Sequence, residues 1–227
     1  MASSSDIGDT ALIYQKSKQY WDGIDSTVDG MLGGFQQLHA PDVDGSKKLL
    51  TGLRGKNHFK QMQVALDCGA GVGRVTKHTL MPFFDKVDMV DVIATFIEDS
   101  KKYMGKDENK IGERFVSGLQ DFVPIKSHYD CIWIQWVSGY LSDKDFVKFF
   151  ERCGEGLREG GVIVLKDNLG SNERPDFDEE DSSWARPHNL IISLLNEAGM
   201  EIIEDKRQTH FPKGMYEVRM FAMKPKL

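Results

Sequence analysis

The sequence predicts an α/β fold in which helices cover both faces of a seven-stranded, mostly parallel sheet. From residue 63 onward, short apolar runs alternate with segments of helical spacing, which is typical of strands joined by crossover helices. The last two apolar runs have no helix between them, so we expect them to pair as a C-terminal antiparallel hairpin. Of the 227 residues, 40% are hydrophobic, which is enough for one sizeable core.

Each element of this fold has its own signal in the chain. Apolar runs predict strands over residues 63–67, 87–91, 114–118, 129–137, 161–167, 201–208 and 215–225. Helical spacing predicts helices over residues 10–21, 72–84, 94–104, 143–157 and 184–200. Ser142 is a predicted N-cap, Gly199 is a predicted C-cap, and Pro82 lies where the second helix should end.

These elements divide the chain into an extension and a core. We expect residues 1–10, which are small and polar, to be a disordered tail. Residues 11–227 would then form a single domain. In it, an N-terminal helical and lid extension (11–60) precedes a Rossmann-like core (61–227).

The composition argues against several classes of protein. A net charge of −6 and a pI of about 5.5 disfavour direct binding to nucleic acid, which normally requires a basic stripe. Cys68, Cys131 and Cys153 form no metal-binding set, so we predict no metal site and a reducing compartment. The first residues do not have the pattern of a secretory signal, and no apolar run approaches the length of about 18 residues that a membrane span needs.

A glycine-rich loop follows the first predicted strand. It reads DCGAGVGR (residues 67–74), in which Gly69 and Gly71 let a ligand approach the backbone closely. A dinucleotide fingerprint has the spacing G-x-G-x-x-G, whereas here Arg74 takes the place of the third glycine, which disfavours a nicotinamide-dependent oxidoreductase. An arginine suits a carboxylate such as the one at the methionine end of S-adenosylmethionine. A tight turn without a ligand is the alternative.

Polar residues also lie at the ends of four further predicted strands. Asp91 ends the second strand and Gln120 follows the third, while Gln135 lies near the end of the fourth and Asn168 ends the fifth. Each alone could be a turn or capping residue, and Asp91 in particular could cap the next helix. Together they lie at the carboxyl edge of the sheet, where open α/β folds bind ligands. The combination predicts a class I S-adenosylmethionine-dependent methyltransferase fold, with Asp91 accepting hydrogen bonds from ribose hydroxyls.

Seven short strings make this prediction more specific. TVDGMLGGF, ALDCGAGVGR, VDMVD, GLQDF, IWIQWVSGYL, LKDN and DEEDSS occur in this order. From about Tyr20 to the C-terminus, the chain resembles the protein α-N-terminal methyltransferases. The resemblance implies an enzyme that uses S-adenosylmethionine to methylate the free α-amine of proteins beginning Xaa-Pro-Lys after loss of the initiator Met.

The resemblance also implies a role for each matching residue. The cofactor-binding residues would be Gly69, Gly71, Arg74, Asp91, Val92, Ile93, Leu119, Gln120 and Gln135. The substrate-binding residues would be Trp21, Leu32, Trp136, Asn168, Asp178, Asp181 and Ser183. Residues 27–34 (TVDGMLGG), here called the lid segment, would close over the cofactor and the peptide. A flexible connection is the alternative for the lid segment.

Some of these residues have more specific roles. Trp136 would pack against the substrate proline, and packing in the core is the alternative. Because side chains alternate along a strand, Trp136 should point to the opposite side from Gln135. Asn168 would hold the amine, and Asp181 would accept its proton. Where the family usually has histidine, this chain has Tyr140, which would orient the amine or a water molecule. A packed aromatic ring with its hydroxyl at the surface is the alternative for Tyr140.

The run DFDEED (residues 176–181) carries five acids in six positions. Such a cluster is usually a solvated loop, but it could also attract a substrate that carries an α-amine and a lysine. We predict that Asp178 and Asp181 contact the lysine, whereas Asp176, Glu179 and Glu180 supply charge. The segment between Asn168 and this run is about one residue longer than in the family, which makes Asp178 the less secure of the two matches.

Two other functions remain open. The chain could methylate a small-molecule amine or carboxylate, which needs no acidic groove. It could instead be a cofactor-binding adaptor with reduced catalysis, for which Tyr140 is the hint. The expected partners are protein substrates with Xaa-Pro-Lys N-termini, without direct nucleic-acid or membrane binding, and we expect a monomer. The family resemblance implies that the protein is cytoplasmic and nuclear.

Overall fold

In a computed structural model that describes residues 10–171 and 173–226, the chain forms nine strands. They are β1 (Val64–Cys68), β2 (Lys86–Asp91), β3 (Ile111–Val116), β4 (Tyr129–Gln135), β5 (Leu157–Leu169), β6 (Asp176–Asp178), β7 (Ser183–Ala185), β8 (Met200–Arg207) and β9 (Glu217–Pro225). Seven of them form the central sheet in the order β3-β2-β1-β4-β5-β9-β8. Strands β1 to β5 are parallel, and β9 is antiparallel to both of its neighbours. The predicted seven-stranded sheet with an antiparallel C-terminal hairpin is therefore confirmed.

Five α-helices accompany these strands in the described part of the chain. They are α1 (Thr10–Asp22), α2 (His39–Gly55), α3 (Ala94–Met104), α4 (Asp143–Gly156) and α5 (His188–Glu197). The predicted helix after β1 is a short π-type helix over Thr76–Leu80, with Pro82 just beyond it. Ser142 caps α4 as predicted, since its Oγ accepts a hydrogen bond of 3.1 Å from the Asp145 amide.

The sheet is buried on both faces, which is why its strands are continuous apolar runs in the sequence. Every residue of β4 is buried, because this strand lies at the centre of the sheet. Neighbouring side chains of β1 point to opposite faces. Leu66 packs with residues of α4 and α5, whereas Ala65 packs with residues of α2 and α3. The polar residues at the carboxyl ends of the strands are left to form a site.

Two elements were missed by the sequence prediction. Helix α2 lies within the extension, where Pro41 in its first turn and Gly45 and Gly52 inside it lower its helix propensity. Buried residues such as Leu49, Leu50 and Leu53 stabilise it by packing against the sheet.

The second missed element contains the acidic run. Strands β6 and β7 pair as a short hairpin, here called the acidic hairpin (residues 176–185), so the run is not a plain loop. Strands of three residues are too short for their alternation to be recognised in a sequence. The hairpin occupies residues 184 and 185, and α5 consequently begins at His188, directly after Pro187.

The N-terminal part of the chain is described only from Thr10 onward. Of the predicted disordered tail, residues 1–9 lie outside the described residues, and Thr10 begins α1. No helix in the described ranges is both long enough and apolar enough to cross a bilayer.

Candidate active site

A cavity of about 410 Å³ lies at the carboxyl ends of β1, β2 and β4. All nine residues predicted for the cofactor line it: Gly69, Gly71, Arg74, Asp91, Val92, Ile93, Leu119, Gln120 and Gln135. Trp21, Trp136 and Tyr140, predicted for substrate binding or catalysis, line it as well. The structure therefore confirms that parallel strands bring these side chains to one edge of the sheet.

The glycine loop is held close to the lid segment. Gly71 has a φ of 54°, a conformation that favours glycine, and a Cβ atom placed there would lie 2.2 Å from Sδ of Met31. Met31 belongs to the lid segment and lines the cavity. The structure thus places this segment over the glycine loop, whereas Leu32, predicted for substrate binding, is buried outside the cavity lining.

Asp91 links the loop after β1 to the loop after β2 at the wall of the cavity. Its Oδ2 accepts a hydrogen bond of 2.8 Å from the Gly71 amide, and its Oδ1 accepts one of 2.9 Å from the Ile93 amide. Burial raises the pKa of Asp91, although these amide bonds oppose the shift. Each carboxylate oxygen has a second lone pair, so Asp91 can orient the loops and still accept bonds from a ligand.

Arg74 and Gln135 are both bound to a carboxylate that the sequence prediction missed. Asp42 of α2 accepts a hydrogen bond of 2.7 Å from Nη1 of Arg74 and one of 2.8 Å from Nε2 of Gln135. Lys166 of β5 lies 2.5 Å from the same carboxylate. Burial alone would raise the pKa of Asp42, but Lys166 and Arg74 outweigh it and hold that pKa below its usual value.

Trp136 lies just beyond the end of β4, where the chain turns. Its φ of 53° breaks the alternation of the strand, so Trp136 and Gln135 line the same cavity. The prediction that they point to opposite sides is therefore wrong. The Arg74 guanidinium lies 5.5 Å from the centre of an indole ring of Trp136. The indole nitrogen is buried and has no hydrogen-bond partner within the described residues.

Tyr140 joins the cavity to the acidic hairpin. Its hydroxyl donates a hydrogen bond of 2.6 Å to Oδ2 of Asp181. Burial and the nearby Asp181 carboxylate raise the pKa of Tyr140 well above its usual value, so the phenol stays protonated. The edge of the Trp21 ring packs against it with the ring centres 6.1 Å apart. Tyr140 is therefore a hydrogen-bond donor to Asp181 and cannot replace a histidine as a base near neutral pH.

The acidic hairpin lies outside the cavity lining but faces α1. The Glu180 amide donates to Oδ1 of Asp178 over 2.9 Å, and the Ser183 amide donates to Oδ1 of Asp181 over 3.1 Å. Burial, and then Glu180, Asp181 and Asp178, raise the pKa of Tyr20 in α1. The two aspartates thus shape the turn, and both oxygens of Asp181 already accept a hydrogen bond, one from Ser183 and one from Tyr140. Each oxygen has a second lone pair that a ligand could use.

Two predicted substrate residues remain at the margin of the site. Asn168 is partly buried in β5, where it pairs with Val218, and Ser183 is partly buried in β7. Neither residue lines the cavity. Helix α1 instead contributes residues that the sequence prediction did not assign: Tyr14, Gln15, Ser17 and Lys18.

The residues of the cavity fit S-adenosylmethionine. The volume is within the range of small-molecule sites, about 300–1,000 Å³. Asp91 can accept bonds from ribose hydroxyls, and Val92, Ile93 and Leu119 provide surface for the base. The guanidinium of Arg74 can hold a carboxylate.

The sheet order and a glycine-loop cavity at the carboxyl ends of β1, β2 and β4 define a class I S-adenosylmethionine-dependent methyltransferase. Residues 9–224 match the model of a family described as AdoMet dependent proline di-methyltransferase. The chain belongs to this family.

Two curated proteins and one solved structure show how close the relationship is. The chain is 50% identical to "Alpha N-terminal protein methyltransferase 1" of Caenorhabditis elegans, over 99% of this chain and 95% of that protein. It is 44% identical to "N-terminal Xaa-Pro-Lys N-methyltransferase 1" of Xenopus tropicalis, over 96% of this chain and 98% of the other. A SAM-dependent methyltransferase structure from Leishmania major superposes with a TM-score of 0.89 at 32% identity, covering 96% of this chain and 87% of that one.

Proposed function

We propose that this enzyme methylates the free α-amine of proteins that begin Xaa-Pro-Lys after removal of the initiator Met. The observation that carries the proposal is the hydrogen bond of 2.6 Å between Tyr140, which lines the cofactor cavity, and Asp181 of the acidic hairpin. This bond holds the Asp181 carboxylate next to the cofactor cavity, where its negative charge would attract a cationic substrate. The names of the two curated relatives support the same substrate class.

An α-amine needs little help to become a nucleophile. With a pKa of about 7.7–8.0, roughly a fifth to a third of it is neutral at about pH 7.4, so full deprotonation costs only about 0.4–0.8 kcal/mol. S-adenosylmethionine, when bound, supplies an electrophilic methyl group. In this proposal Asp181 accepts the proton of the amine, and Tyr140 fixes the orientation of that carboxylate. Positioning of the amine then accounts for most of the rate.

The remaining residues would select the sequence of the substrate. Trp136 offers a rigid aromatic face to a proline ring. We expect Asp178 and Asp181 to pair with a lysine two residues after the amine, because both belong to the hairpin that Tyr140 links to the cavity. Glu179 and Glu180 are exposed, and they would attract the two positive charges of the peptide from a distance.

Mass spectrometry of peptides tests this proposal. The enzyme and S-adenosylmethionine are incubated with a Ser-Pro-Lys hexapeptide, its N-acetylated form and a matched Ser-Pro-Glu peptide. We expect mass increases of one or more methyl groups on the first peptide, located on the α-amine by fragmentation, and none on the acetylated peptide. Equal methylation of the Ser-Pro-Glu peptide would contradict the role of the acidic hairpin.

The same experiment separates the alternatives. Binding of S-adenosylmethionine without methylation of any peptide would indicate an adaptor. Methylation of small amines or carboxylates in preference to the peptides would indicate a small-molecule enzyme. We also propose that the enzyme works as a monomer in the cytoplasm and nucleus, which light scattering and imaging of a tagged protein would test.

A further inference from the structure

Lys166 is fully buried, and Asp42 separates it from Arg74 in the wall of the cofactor cavity. Besides the Asp42 carboxylate, its Nζ contacts the Asp42 carbonyl at 3.0 Å, Ser46 Oγ at 2.9 Å and Gln208 Oε1 at 2.8 Å. All of these atoms can accept hydrogen bonds, and an ammonium group has three protons to donate. The geometry therefore fits a charged lysine.

The carboxylate of Asp42 is shared between this lysine and Arg74. Asp42 is fully buried, and neither Asp42 nor Lys166 lines the cavity, whereas Arg74 does. Two cations and one carboxylate in direct contact leave one net positive charge. That charge faces the ligand only through Arg74, because Lys166 is enclosed.

We propose that Asp42 and Lys166 are positioning residues for the carboxylate of S-adenosylmethionine. Asp42 orients the Arg74 guanidinium and the Gln135 amide, and Lys166 keeps Asp42 from neutralising Arg74. Without Lys166, the Asp42–Arg74 pair would be neutral overall, and the cavity would lose its attraction for an anion. This inference rests on the assignment of Arg74 to the cofactor carboxylate.

The test compares two ligands that differ in one group. S-adenosylhomocysteine carries the carboxylate, and 5′-(3-aminopropylthio)adenosine is the same molecule without it. Isothermal titration calorimetry gives the ratio of their Kd values for the wild type, for Lys166→Gln and for Lys166→Met. The glutamine amide can still donate to Ser46 and Gln208, whereas methionine cannot, so the pair separates the charge from the hydrogen bonds. Lys224→Met, which removes a part-buried lysine bound to the His58 carbonyl, is the matched control.

We expect both Lys166 variants to bind S-adenosylhomocysteine about 10- to 100-fold more weakly, the range for losing a charge-assisted contact. In these variants, the Kd of the analogue should change by no more than about twofold. In the control variant, the Kd values of both ligands should stay within the same limit. The double variant Asp42→Asn/Lys166→Gln again has one net positive charge and should regain most of the preference for the carboxylate.

Equal weakening of both ligands in the Lys166 variants would show a purely structural role and overturn the proposal. If Arg74→Gln leaves the preference for the carboxylate-bearing ligand unchanged, Arg74 does not bind the cofactor carboxylate. That result would also overturn the proposal. Neither result would touch the proposed substrate class, because the peptide assay measures that separately.

Discussion

The cofactor cavity and the acidic hairpin are built in opposite ways. At the cavity, Arg74 is 3% exposed and Asp91 8% exposed, and both are bound to groups fixed by the fold. In the hairpin, Asp178 is exposed on a pair of strands with three residues each. Buried charges are costly unless they are paired, whereas exposed charges contribute little to stability. The difference implies that the cavity tolerates few substitutions, while the hairpin can change its charge at low cost.

The largest effect should come from a substitution in the cofactor cavity. Asp91→Ala removes the acceptor for the Gly71 and Ile93 amides and a ligand-facing carboxylate. We expect the Kd for S-adenosylmethionine to rise about 100- to 1,000-fold, since two charge-assisted hydrogen bonds are lost. Calorimetry measures this directly. A rise of less than about tenfold would show that backbone contacts alone hold the loops.

Asp181→Asn tests whether the hairpin supplies chemistry as well as charge. The amide keeps the shape of the side chain but cannot accept the proton of the amine. We expect kcat for the Ser-Pro-Lys peptide to fall about 100-fold, because the neutral amide can neither accept the proton nor hold the charged amine in position. The Kd for S-adenosylmethionine, measured on the same preparation, should stay unchanged. A parallel loss of cofactor affinity would point to a structural role.

Tyr140→Phe should have a smaller effect on the same step. The variant keeps the aromatic packing against Trp21 but removes the donor to Asp181, so we expect kcat to fall about tenfold. Because the pKa of Tyr140 is raised by burial and by Asp181, the phenol is protonated over the whole assay range. Activity should therefore rise with pH through the pKa of the substrate amine, about 7.7–8.0, with the same midpoint in both proteins. A midpoint that moves in the variant would show that Tyr140 itself exchanges the proton.

The smallest effects should come from the exposed acids. Asp178→Asn should raise KM for the Ser-Pro-Lys peptide about three- to fivefold, because one partly exposed ion pair is lost. Glu179→Gln should leave KM nearly unchanged and mainly weaken its dependence on salt. Steady-state kinetics at low and high salt compare the two variants. If they behave alike, the hairpin acts only through its total charge.

Much of the cavity could be predicted because its residues are tied to local patterns. Gly69, Asp91 and Gln120 each follow or end a strand that the apolar runs reveal, and parallel strands bring such positions to one edge. The hairpin could not be predicted as a structure, since strands of three residues leave no readable period. Trp136 was misplaced because a positive φ ends the strand alternation one residue earlier than the apolar run suggests.

The sequence by itself determined the seven strands of the central sheet, the glycine loop, the cofactor and the family, because these depend on short-range spacing and on distinctive strings. Only the tertiary structure decided which charges meet. Asp42 is separated from Arg74 by 32 residues and from Lys166 by 124, while Tyr140 and Asp181 are 41 residues apart. Contacts at such separations are set by how α2 and the acidic hairpin pack on the sheet, and no local pattern in the chain encodes them.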